Sequence, residues 1–140
     1  MTRKRFPPDD PREWLNRARS NLAHARTVVP EVWFEDLCFD TQQCAEKAIK
    51  AVFIGRNEPF PYVHELKKLL QRLERNGVKI PKYVWDADDL SIFAVVTRYP
   101  DMIPPVSSKQ YRRAVRLAEA VLRWAERQVA ADLKKRGVKP

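Results

Sequence analysis

Glycine is scarce, at three in 140 residues. Tight hairpins and phosphate-cradling loops draw on residues that tolerate positive φ, so this scarcity argues against a hairpin-rich β fold and against a glycine-rich phosphate loop. Cysteine is scarcer, with only Cys38 and Cys44, six apart and without a Cys-x-x-Cys pair. Together with His24 and His64 they are scattered, whereas a structural zinc site needs about four converging ligands. The expectation is two small core residues in a reducing cytoplasm, with no metal, no cofactor and no disulfide framework. No apolar run approaches the ~18 residues of a membrane span. The basic start (Arg3, Lys4, Arg5) runs into Pro7, Pro8, Asp9 and Asp10 with no apolar stretch behind it, unlike a secretory signal.

What the chain does hold is apolar surface and charge. At 44% hydrophobic and 32% charged, 140 residues suffice for one domain with a core that needs no staples. The net charge of +9 is uneven: residues 1–28 carry +4, residues 29–108 carry −2 and residues 109–140 carry +7. Basic ends around a mildly acidic middle suit an anionic partner such as RNA, or an acidic protein; a merely solvated basic surface has the same composition.

The apolar spacing is helical throughout. Residues 1–9 read as a flexible tail, residues 10–135 as the domain and residues 136–140 as a C-terminal tail. A first helix starts near Asp10 with Pro11 in its first turn, carries Trp14, Leu15, Ala18, Leu22, Ala25 and Val29 on one stripe, and ends at Pro30. A second runs from about Val32 to Ile54, its small residues (Cys44, Ala45, Ala48, Ala51) allowing close approach of a neighbour, Glu46 and Lys50 paired on its outer side, and Gly55 as C-cap. A third spans about Val63 to Asn76, closed by Gly77, and a fourth about Lys82 to Val96. The three prolines among residues 98–106 mark a loop, after which Ser107 or Ser108 caps a long helix to Lys135. The fold class expected is all-α, an up-down bundle of about five helices. Its long apolar faces suggest a two-fold homodimer.

Three places hold residues with chemistry. In Thr97-Arg98-Tyr99-Pro100-Asp101, Arg98 offers a planar fork for phosphate or carboxylate and Tyr99 a stacking face with a hydroxyl. The structural alternative has Tyr99 packed over the bundle end and Arg98 paired with an acid, and the residues alone favour it. His64 precedes Glu65 at the expected start of helix three, as a base or, more simply, as a capping residue that fixes the preceding loop. Gln42, Gln43, Glu46, Lys47 and Lys50 form a polar band on helix two, either a solvated face or a polar groove between helices. The Arg19-x4-His24 spacing is read as chance, since residues five apart differ by roughly 140° around a helix.

These stretches resemble a known family. Thr41-Gln42-Gln43-Cys44-Ala45-Glu46-Lys47-Ala48-Ile49-Lys50-Ala51 looks like the QQAAEKALKA helix of HEPN domains, helical modules named for nucleotide binding in higher eukaryotes and prokaryotes. Val63-His64-Glu65-Leu66 resembles their T-H-D-L start of helix three, and Arg98-Tyr99-Pro100-Asp101 the R-Y-P signature of the stand-alone prokaryotic branch. The similarity covers about residues 10–132. It implies an all-α bundle, usually a homodimer, and a frequent partner, a minimal nucleotidyltransferase acting as antitoxin to a ribonuclease-like toxin. Ribonuclease members carry R-x4-6-H near the start of a late helix. Arg98 is the match for that Arg, residues 99–110 hold no His, and Tyr99 is a loose match for the family's modifiable Tyr. The resemblance thus implies a cytoplasmic HEPN module that binds RNA or a nucleotide, with metal-independent ribonuclease activity left open. The candidate catalytic residues are Arg98 and His64, and the candidate ligand-binding residues are Tyr99, Asp101, Gln43, Lys47 and Lys50. The alternative is a non-catalytic module that binds a nucleotide or a protein.

Overall fold

The computed structural model describes residues 4–95 and 104–139. Among these, the regular elements are helices: α1 (Pro11–Ala25), α2 (Phe34–Gly55), α3 (Leu66–Arg75), α4 (Lys82–Trp85), a 3-10 segment (Asp86–Ala94) and α5 (Ser108–Lys135). The all-helical bundle expected from the spacing is the fold observed. α2 is its centre, packed against α1, α5, α3 and the 3-10 segment.

The helix ends follow from local chemistry. The Asp10 side chain accepts from the Arg12 backbone N–H at 2.9 Å, and Pro11 occupies the first helical position. At α5, Ser107 and Gln110 form a reciprocal capping box, so Ser107 is the capping residue of the two serines. Gly77, at φ +97°, terminates the α3 turn as expected. Gly55 does not terminate α2. It is the last helical residue, and the left-handed position falls on Asn57 (φ 55°), a residue type that tolerates it.

α1 also ends earlier than its apolar stripe suggests. It stops at Ala25, and Val29 is exposed. The β-branched run Thr27-Val28-Val29 and the restriction that Pro30 places on Val29 oppose another helical turn. Residues 4–9, read as a flexible tail, lie against α1 over their described length. The Phe6 backbone N–H donates to Glu13 Oε1 at 3.0 Å, and Trp14 Nε1 donates to the Pro8 carbonyl at 2.7 Å.

The core gathers Leu15, Leu22, Leu37, Ile49, Phe53 and Val121 with the small residues Cys44, Ala45, Ala48 and Ala118. The small-residue stripe of α2, expected to allow close approach of a neighbour, is covered within the chain by α1 and α5. α3 has ten residues and would be marginal alone. Leu66, Leu69, Leu70 and Leu73 hold it down, all fully buried, each contributing about 1.5–3 kcal/mol of transfer free energy.

The fourth helix departs furthest from expectation. Only Lys82–Trp85 is α-helical, and the chain continues in 3-10 geometry to Ala94. The side chains of this stretch bond elsewhere: Asp88 Oδ1 accepts from the Lys67 backbone N–H at 2.9 Å and Ser91 Oγ from that of Leu66 at 3.0 Å. The 3-10 segment therefore supplies the N-cap of α3.

Candidate functional site

Successive residues of a helix turn by ~100°, which places Gln42, Glu46, Lys50, Gln43, Lys47 and Asp40 of α2 within a sector of roughly 160°. This sector is not a solvated face. Gln42, Glu46, Lys50 and Asp40 are buried, and Gln43 and Lys47 are half-buried. The Glu46–Lys50 pair, expected on the outer side, forms at 2.9 Å but inside the protein. The loop after α2 causes the difference by folding back over the helix, with the Phe60 ring 4.9 Å from the Lys50 ammonium.

Glu46 organises one flank. Its Oε2 accepts from Lys50 Nζ at 2.9 Å, and its Oε1 accepts from Gln42 Nε2 at 2.9 Å and lies 3.0 Å from His64 Nδ1. Burial raises the Glu46 carboxyl pKa, but the hydrogen bonds from Lys50, Gln42 and His64 outweigh it, and the pKa ends below the ordinary value. An ionised carboxylate only accepts, so His64 Nδ1 donates to Glu46 and Nε2 is the ring nitrogen that this bond leaves free. The ring is 70% exposed while Glu46 is 7% exposed, so a buried acid orients a water-facing imidazole.

His64 does not cap α3. The helix begins at Leu66, and its first free N–H groups go to Ser91 and Asp88. The His64 carbonyl is instead tied to α2, accepting from Gln42 Nε2 at 3.2 Å. The simple capping reading is replaced by a histidine anchored at ring and backbone to the central helix.

Of the residues singled out from the sequence, His64, Lys50 and Gln43 come together, Gln43 through its 2.7 Å hydrogen bond to Gln42 Oε1. Lys47 turns to the opposite flank and donates to Asn21 Oδ1 at 2.8 Å. Arg98, Tyr99 and Asp101 lie outside the described residues. Two participants were missed, Asp40 and Asn21. Asp40 stands seven residues before Lys47, two turns along the same face, which is the one sequence signal that points to it. Among the described residues no three His, Cys, Asp or Glu side chains converge as a metal site would require. No described helix is long and apolar enough to cross a membrane.

A central polar helix wrapped by α1, α5 and a folded-back loop defines a helical-bundle domain with a buried acid–imidazole pair at its edge. The HEPN domain model matches residues 11–128, and the chain belongs to the HEPN domain family. The solved structure of TT1696 from Thermus thermophilus is 30% identical, with a TM-score of 0.75 over 84% of this chain and 97% of that one. ST0689, an archaeal HEPN homologue, shares the fold at 23% identity, with a TM-score of 0.67 over 86% of this chain and 98% of its own. No curated protein matches the chain.

Proposed function

We propose that this protein is the HEPN module of a toxin–antitoxin-like pair, acting as a cytoplasmic homodimer whose partner is a minimal nucleotidyltransferase, and that it binds RNA or a nucleotide along the polar sector of α2. The observation that carries the reading is the His64–Glu46 pair: a buried carboxylate fixes an exposed imidazole with Nε2 free to take a proton from a hydroxyl. In the ribonuclease form of the proposal, Arg98 stabilises the charge that develops on the phosphorane and His64 is the base. The basic surface of α5 supports the anionic partner. Its Arg113, and the Arg19 and Arg26 that reach it from α1, are tied to carboxylates, but Lys109, Arg116, Lys134 and Lys135 form no ion pair among the described residues.

The exposed Trp33 (74%) and Tyr62 (96%) favour the second reading, a non-catalytic module that docks a protein partner. The test is single-stranded RNA binding over a salt series, with cleavage followed for the wild type, His64→Gln and Arg98→Ala. Binding should weaken steeply with salt. Cleavage should fall by about 10²–10⁴ in His64→Gln at unchanged thermal stability. Loss of stability alone in Arg98→Ala sinks its role in the site. Salt-dependent binding without cleavage selects the non-catalytic module, and no binding at low salt removes nucleic acid altogether. Sedimentation as a monomer at micromolar concentration counts against the homodimer.

A further inference from the structure

The flank of α2 opposite His64 carries a second arrangement of the same kind. Arg17, Asn21 and His24 share one face of α1, spaced at i, i+4 and i+7. Asp40 Oδ2 of α2 lies 2.6 Å from His24 Nδ1, with the acid side chain 12% exposed and the ring 71% exposed. The carboxylate can only accept, so Nδ1 carries its proton and Nε2 is left facing outward. Asn21 links this pair to Lys47: its Nδ2 donates to Asp40 Oδ1 at 3.4 Å, and its Oδ1 accepts from Lys47 Nζ at 2.8 Å.

Lys47 is the unusual member. It is half-buried, and its hydrogen-bond partner is a neutral amide. Burial and the nearby Arg17 push its ammonium below the ordinary lysine value, partly offset by Glu46 and Asp40. Those carboxylates have other partners, Glu46 in Lys50, Gln42 and His64 and Asp40 in His24, while Arg17 is paired with Glu13. An ammonium has three donors. Asn21 takes one, and no carboxylate stands within 4.0 Å among the described residues. A partly desolvated cation without a counter-ion, beside an outward-facing imidazole, matches an oxyanion.

We propose that His24 and Lys47 form a binding site for a phosphate monoester, with Lys47 Nζ donating to its oxygens and His24 joining it as an imidazolium, which keeps Nδ1–H on Asp40 and donates from Nε2–H, and with Asp40 and Asn21 acting as positioning residues. It deepens the function proposed above and rests on its polar sector of α2, to which Asp40 and Lys47 both belong, while using neither His64 nor Arg98. A phosphate monoester can come from a free nucleotide or from the 5′ end of an RNA, and the experiment separates the two.

The chain has two histidines, so its imidazole nitrogen spectrum holds one reporter for the site and one internal reference, His64. Inorganic phosphate is titrated against chloride at fixed ionic strength. The same titration is repeated with adenosine 5′-monophosphate and with a short RNA carrying a 5′-phosphate or a 5′-hydroxyl. His24 should shift saturably with phosphate while His64 stays in place. Lys47→Gln should weaken binding about tenfold or more, the scale of one charge-assisted hydrogen bond, and Lys47→Arg should largely retain it. Thermal unfolding of both variants confirms that they are folded. A response to the 5′-phosphorylated RNA but not to the nucleotide assigns the site to RNA ends, and the reverse assigns it to free nucleotides. Equal shifts of both histidines, no shift of His24, or unchanged binding in Lys47→Gln overturns the proposal. None of these outcomes touches the His64 and Arg98 cleavage assay, so the two readings fail separately.

Discussion

Lys50 Nζ and Glu46 Oε2 stand 2.9 Å apart with 10% and 7% of their side chains exposed, an ion pair closed off from water one turn apart on the central helix. A buried pair adds little net stability over apolar residues of the same volume, but removing one partner strands the other charge. Glu46→Ala is therefore expected to cost about 3–5 kcal/mol in chemical denaturation. The double variant Glu46→Leu with Lys50→Met should recover most of that loss. Equal destabilisation by the single and double changes would show that the pair contributes no such coupling.

The same carboxylate sets an acid limit. The Glu46 pKa is depressed in the folded protein relative to its ordinary value of 4.5. Its contribution is thus fully present above that value and is lost as the pH falls through the lower folded value. Stability measured between pH 6 and pH 3 should decline at the acid end. Glu46→Gln should be less stable at neutral pH and show a flatter acid limb. An unchanged slope would place the acid sensitivity on other groups.

The cap of α3 is supplied from a distance, by Asp88 and Ser91 across the chain. Asp88 Oδ1 also accepts from Ser91 Oγ at 2.9 Å, so the two act as one unit. Asp88→Ala should cost about 0.5–2 kcal/mol in thermal unfolding, the range of a lost N-cap. Adding Ser91→Ala should cost less than its separate effect. Full additivity would contradict a shared cap.

Cys38 and Cys44 are fully buried, and burial pushes both thiols up to about 12. At pH 8 roughly one thiol in ten thousand is then a thiolate, and the nucleophile is the thiolate. A disulfide reagent should titrate neither cysteine in the native protein and both after unfolding, at a rate that follows global opening. Prompt modification under native conditions would show that one of the thiols is accessible.

The division between what was legible and what was not follows the range of the interactions. Apolar spacing, Pro11, the Asp10 and Ser107 caps and Gly77 act within a turn or two of chain, so the all-helical class, the order of the helices and most of their bounds could be read from the sequence. Motif order placed the chain in its family, and the polar band of α2 was visible with His64 beside it. The tertiary structure alone decided what those polar residues do. Whether Glu46 and Lys50 face water depends on where the Phe60 loop lies, and no local spacing carries that information. His64 was legible as a residue at a helix start, but its partner Glu46 is 18 positions away. The spacing of His24 from Arg19 on its own helix carries no signal, because its partner Asp40 is supplied by the next helix. The fourth helix failed for the same reason: Asp88 and Ser91 are spent on another helix's free N–H groups, a demand that exists only once α3 is docked against them.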